Sequence, residues 1–136
     1  MSGWMPANMT LFGQVTAQHI LVIEDAPAMR LLVRHILEQA GHHPVVVGSV
    51  PDALAELELG VVDVIVSDLY LPGQSGLDLL RTLRQQPDAP PVVMLTSAGE
   101  DRLREEAVTL GARAFLTKPF SRYELLDAVF VATRPH

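Results

Sequence analysis

Five short apolar runs punctuate the chain: Ile20–Ile23, Val45–Val47, Val61–Val66, Pro91–Leu95 and Ala112–Leu116. They are rich in β-branched residues and show little polar alternation, the pattern of strands buried on both faces. The segments between them change period. From about Ala28 to Ala40, Met29, Leu32, Val33, Ile36, Leu37 and Ala40 recur three and four apart, one buried helical face, with Pro27 before it and Gly41 after it as start and stop signals. A second helix opens at Ser49-Val50-Pro51-Asp52 and ends near Gly60. A third opens at Ser75, with Asp78 three residues on as in a capping box, and stops at Pro87. A fourth runs from about Asp101 to Leu110, ending at Gly111. A fifth opens with the Ser121/Glu124 box and carries Leu125, Leu126, Val129 and Phe130. Strand and helix alternate five times, which predicts an α/β domain with a parallel sheet covered on both faces and right-handed crossovers.

Composition narrows the picture. A chain of 136 residues suits one domain with one core, and 49% apolar with 19% charged residues is globular rather than disordered. A formal net charge of −6 argues against direct nucleic-acid binding, which needs a basic footprint. The absence of cysteine excludes disulfide and thiolate chemistry. No apolar run approaches the roughly 18 residues that span a bilayer, and Met1 to Gln18 lacks a basic flank followed by an apolar core. A soluble cytoplasmic protein without membrane contact is expected. Residues 1–18 mix Gly3, Pro6, Asn8 and Gly13 with Trp4 and Phe12 and show no period. They read as a loosely ordered extension, in which Met5 to Phe12 could fold back on the domain or pair with another copy. Residues 19–133 hold the domain, and no second domain is expected.

The chemistry lies at the strand ends. The carboxyl ends of parallel strands line one edge, where ligand sites form. Glu24-Asp25, Asp68, Thr96 and Lys118 each follow one of the runs. Three carboxylates in one place repel one another, by about 4 kcal/mol per pair at about 4 Å near a protein surface. A hard divalent cation, Mg²⁺ or Mn²⁺, offsets this and takes one or two carboxylates directly. Asp25 and Asp68 are the direct candidates, and the longer Glu24 acts through water. Asp68 precedes a turn-rich loop containing Pro72, Gly73 and Gly76, which leaves its carboxylate free to attack an activated phosphoryl group. Lys118 and the metal neutralise charge on the moving oxygens, Thr96 donates a hydroxyl, and the small Ser97 leaves room beside it. Lys118-Pro119 can be cis at modest cost, which would aim the lysine into the pocket.

These residues together resemble the receiver domain of bacterial two-component response regulators, from about His19 to Thr133. The resemblance rests on Glu24-Asp25, on Asp68-Leu-Tyr-Leu-Pro-Gly-Gln-Ser-Gly, on Thr96-Ser97-Ala98 and on Phe115-Leu-Thr-Lys118-Pro119-Phe120. It implies a flavodoxin-like (βα)5 fold with strand order 2-1-3-4-5, and a phosphoryl switch rather than a turnover enzyme. A sensor histidine kinase or histidine phosphotransfer protein would phosphorylate Asp68. Mg²⁺ would be held by Asp25, Asp68 and the Tyr70 main-chain carbonyl. Thr96 and Phe115 would form the switch pair, and the face made by the fourth helix, fifth strand and fifth helix would signal to an output domain or protein, or to a weakly paired second copy. Tyr70 and Ala98 occupy positions that tune dephosphorylation. Glu24 departs from the Asp commoner at its position.

Three other functions compete. An aspartyl phosphatase wants a second Asp where Tyr70 stands. A mononucleotide-binding module wants a Gly-rich loop where the chain reads Glu-Asp-Ala-Pro. A receiver-like module could dock partners without phosphorylation. Of the remaining polar residues, His42-His43 read as a solvated loop, and Arg102, Arg104, Glu105 and Glu106 as a solvated helix face that also docks partners. Met29 and Met94 read as core.

Overall fold

The computed structural model describes residues 17–71 and 73–134. Residues 1–16, most of the expected extension, therefore lie outside the described residues, as does Pro72 of the loop after Asp68. Five strands, β1 (His19–Ile23), β2 (His43–Val47), β3 (Val64–Asp68), β4 (Val92–Thr96) and β5 (Ala114–Thr117), alternate with α1 (Pro27–Gln39), α2 (Val50–Leu59), α3 (Gly76–Leu83), α4 (Asp101–Thr109) and α5 (Arg122–Thr133). The sheet is parallel throughout, in the order β2-β1-β3-β4-β5. This is the flavodoxin-like arrangement expected from the sequence.

Consecutive strand residues point to opposite faces, so each apolar run feeds two cores. Ile20 and Val22, Val64 and Val66, and Val93 and Leu95 pack under α1 and α5, against Val33, Leu37, Leu125 and Val129. Leu21 and Ile23, Ile65, and Val92 and Met94 pack on the other side against α2, α3 and α4. Each such buried aliphatic contributes about 1.5–3 kcal/mol, which makes burial of both faces the main force holding the strands in register. Helix ends follow the capping signals. The Ser49 hydroxyl accepts from the Asp52 N–H at 3.3 Å, and the Ser121/Glu124 box closes with bonds of 3.1 and 2.8 Å. Past α1 and α4 the chain turns through Gly41 and Gly111, at φ of 90° and 97°, where only glycine is unstrained.

Several expectations need correction. The third strand begins at Val64, not Val61. Val61 is exposed, and the Asp63 carboxylate instead accepts the His19 N–H at 2.7 Å. That bond, with the Asp63 N–H donating to the His19 carbonyl, ties the strand's approach to the start of β1. The third helix ends at Leu83, and the segment to Pro87 is turn. Leu32, placed on a buried helical face by period, is more than one-third exposed. His42 is buried rather than solvated. Its Nδ1 accepts the Gln18 N–H at 3.1 Å, and burial, then the neighbouring His43, pull its pKa below the usual histidine value. His43 opens β2 and stacks on His19 with ring centres 5.1 Å apart.

Candidate functional site

The carboxyl edge of the sheet carries the site. Register fixes how its residues arrive: Ile23 is opposite Ser67, Asp68 opposite Leu95, and Thr96 opposite Thr117. Each strand therefore releases its polar residue at nearly the same height. The Lys118 N–H donates to the Thr96 carbonyl at 2.7 Å, extending the ladder one step past β5, and the lysine leaves two residues beyond the level of Asp68. The Lys118–Pro119 bond is cis.

Glu24, Asp25 and Asp68 each bring a carboxylate oxygen within 4.8 Å of the others. Glu24 and Asp68 are buried, at 1% and 3% exposure, while Asp25 faces solvent. Lys118 Nζ bridges the two buried acids, 2.9 Å from Glu24 Oε1 and 2.7 Å from Asp68 Oδ1. The other Glu24 oxygen accepts the Ala26 N–H at 3.0 Å. Both Glu24 oxygens thus accept bonds within the chain, and the residue anchors the lysine. Asp68 Oδ1 differs: the ammonium lies beside it, but among the described residues no donor points at it with hydrogen-bond geometry. A buried oxygen with charge nearby and no directed donor is unusual in a folded protein and suits an oxygen that a metal or phosphorus takes up.

Protonation follows from this geometry. Burial, then the Glu24 carboxylate beside it, push Asp68 up to about 8 against the pull of Lys118. Burial would raise Glu24 too, but hydrogen bonds from Asp68, the Ala26 amide and Lys118 outweigh it and hold Glu24 below the ordinary value. Desolvation works against the lysine's charge, yet the two acids win and raise its pKa. A charge cluster of this kind is one cation short. Its hard oxygen donors fit a divalent ion, which would reverse the rise at Asp68.

The other expected residues are placed less centrally. Thr96 is buried at the end of β4; Ser97 and Ala98 are exposed just beyond it, and the Ser97 N–H is held by Glu100 Oε1 at 3.0 Å. Tyr70 lies in the bend after β3, 66% exposed. Phe115, midway along β5, is half-buried against the α4 side of the core, with the Arg104 guanidinium 4.8 Å over its ring. Two supports were not foreseen. The buried Ser67 hydroxyl donates to the Asp68 carbonyl at 2.9 Å. Gly76 packs so closely under β3 that a Cβ there would sit 2.6 Å from the Asp68 carbonyl oxygen and 3.1 Å from Leu69 Cα. The sequence signal was present: a glycine at the first position of a helix, directly after the loop that follows the candidate nucleophile.

Comparison with known proteins agrees with this geometry. Residues 20–130 match the family model of the response regulator receiver domain. The phosphate regulon transcriptional regulatory protein PhoB of Klebsiella pneumoniae is 38% identical over 120 residues, 87% of this chain and 52% of PhoB. The transcriptional regulatory protein TcrA of Mycobacterium tuberculosis is 38% identical over 122 residues, 90% of this chain and 47% of its own length. The chain thus spans about half the length of these curated relatives. Among solved structures, a putative response regulator from Chloroflexus aurantiacus superposes with a TM-score of 0.81 at 27% identity, covering 88% of this chain and all (100%) of that one.

Proposed function

The chain belongs to the response regulator receiver family, and from that premise we propose that it is a phospho-acceptor switch whose acceptor is Asp68. One observation carries the reading: a buried carboxylate at a strand end has an oxygen with no directed donor among the described residues, an ammonium 2.7 Å away and two further carboxylates within 4.8 Å. The Asp68 oxygen attacks the phosphorus of a phosphohistidine on a sensor kinase or phosphotransfer protein. The new O–P bond forms as the N–P bond breaks, and the imidazole nitrogen keeps the bonding pair. Asp25, Asp68 and the Tyr70 main-chain carbonyl would hold a divalent cation, Mg²⁺ or Mn²⁺, with Glu24 reaching it through water. Bound there, the ion neutralises carboxylate and phosphoryl charge.

The chain's own residues do the rest. Lys118, steadied by Glu24, exchanges its contact with Asp68 for the incoming phosphoryl oxygens. The Thr96 hydroxyl closes on the same group, with Ser97 leaving room, and Phe115 turns inward behind it. The face made by α4, β5 and α5 changes shape and passes the signal to an output domain or protein, or to a weakly associating second copy. By likeness to PhoB and TcrA, about twice this chain's length, the output is regulation of transcription by a part outside the receiver domain. Among the described residues no helix is long and apolar enough to cross a membrane.

Intact mass after incubation with acetyl phosphate tests the reading. A gain of one phosphoryl group in the presence of Mg²⁺, absent in EDTA and in Asp68→Asn, is expected. No gain by a folded protein with Mg²⁺ present would refute it in favour of docking without phosphorylation.

A further inference from the structure

At the opposite edge of the sheet, the amino ends of β1 and β2 meet the last turn of α2 and residues 60–62 around an apolar groove of about 410 Å³. Among the described residues Glu56 is its only charged lining side chain. Val45, Leu59 and Val61 line it at 46%, 79% and 73% exposure. Three aliphatic side chains left open around one depression mark a contact surface. It belongs to neither the phospho-acceptor edge nor the α4–β5–α5 face.

The chain itself enters the sheet here. His19 lines the groove, and the residue before it is fastened beside it: the Gln18 N–H donates to His42 Nδ1 at 3.1 Å, and the Gln18 carbonyl accepts the His43 N–H at 2.9 Å. Whatever precedes residue 18 is therefore tethered at this spot. Residues 1–18 contain no Asp, Glu, Lys or Arg, in a chain that is otherwise rich in them, and they carry Trp4, Met5, Met9, Leu11 and Phe12. An uncharged, apolar segment suits a groove whose single charge is a carboxylate. The six residue-to-residue steps from Phe12 to Gln18 reach up to about 20 Å when extended, enough to cross the groove. A tether this short also holds the segment at an effective concentration of about millimolar, which favours it over a second copy.

We propose that this groove is the docking surface for residues 4–12 of the same chain, which lay their apolar side chains over Val45, Leu59 and Val61. Trp4 is the chain's only tryptophan, so intrinsic tryptophan emission reports on this segment alone. The experiment compares the full chain with Leu59→Asp/Val61→Lys and with Val108→Asp, an aliphatic on α4 that is also more than half exposed; circular dichroism verifies that all three are folded. The expected result is blue-shifted emission, shielded from acrylamide, in the parent and in Val108→Asp at every protein concentration. The groove variant should shift to the red, with a several-fold rise in quenching. Emission in the parent matching the denatured chain would overturn the proposal, as would emission unmoved by the groove substitutions. Shielding lost on dilution would also overturn it and would assign the groove to a second copy. None of these readouts depends on phosphorylation.

Discussion

Asp68→Asn should stabilise the metal-free protein at alkaline pH, although it removes the acceptor. The acid's pKa is raised by folding, to about 8 from 3.8. Between those values the native state binds more protons than the unfolded chain, so stability falls as pH rises through that window. Four units at about 1.36 kcal/mol each set a ceiling of about 6 kcal/mol. The real figure is smaller, because Asp68 also donates to the interaction that lowers Glu24, and the amide loses that favourable contribution. An advantage of about 2–3 kcal/mol at pH 9 is expected for the variant, or roughly 6–10 °C in Tm for a domain of this size. At pH 5 native Asp68 holds its proton, the ionisation term falls below the lost contact, and the advantage should disappear. Urea titrations in EDTA at both pH values measure it. Adding Mg²⁺ should raise the parent's stability more than the variant's, because the ion replaces the missing positive charge. A variant less stable than the parent at pH 9 in EDTA, or a difference equal at both pH values, would refute the electrostatic account of the site.

Four further substitutions probe its parts. Lys118→Ala leaves Glu24 and Asp68 without their counter-charge and should cost about 3 kcal/mol in EDTA at pH 8, partly restored by Mg²⁺; an unchanged urea midpoint would mean the bridge contributes nothing. Tyr70→Asn should speed loss of the phosphoryl group by opening the attacking water's path past an exposed ring; an equal or slower decay of the phosphorylated mass would sink that role. Gly76→Ala forces a Cβ against the Asp68 carbonyl and should cost about 1–3 kcal/mol while slowing phosphorylation; a neutral substitution would show that α3 can shift freely. Arg104→Ala removes the guanidinium over Phe115 and should cost about 0.5–1 kcal/mol by urea denaturation, with Arg104→Lys in between; equal loss in both variants would assign the effect to something other than ring stacking.

The order of elements was readable because it depends on local features: period, caps and punctuation. Pro27, Gly41, Ser121 and Glu124 act within one turn of themselves, and they lie where they were expected to act. Burial is a different matter, since it depends on what arrives from elsewhere in the chain. Leu32 and Leu37 satisfy the same helical period, yet only Leu37 meets the sheet, and Leu32 falls at the margin of the face. His42 looked like a loop residue from its neighbours, but the Gln18 amide, 24 positions away, makes it a buried acceptor. Val61 and Val62 are as strand-like in composition as the residues after them, yet the ladder starts only past Asp63, whose carboxylate accepts the His19 N–H and whose own N–H donates to the His19 carbonyl.

The site divides the same way. Which residues reach the carboxyl edge follows from topology, because every parallel strand ends there, so Glu24, Asp25, Asp68 and Lys118 could be assembled from the sequence alone. How they share their charges could not. A lysine that serves an incoming phosphoryl group needs something to hold it while the site is empty, and the residue type does not say what. Here Glu24 does so from within the core, fixed in turn by the Ala26 amide. The longer side chain at this position therefore has a use of its own, because it spans from the end of β1 to the ammonium that neutralises Asp68. Shortening it tests that directly. Glu24→Asp keeps the charge and should preserve metal binding, but it should loosen Lys118 and slow phosphoryl uptake by Asp68. Uptake at the parental rate would mean that the lysine is positioned by β5 alone.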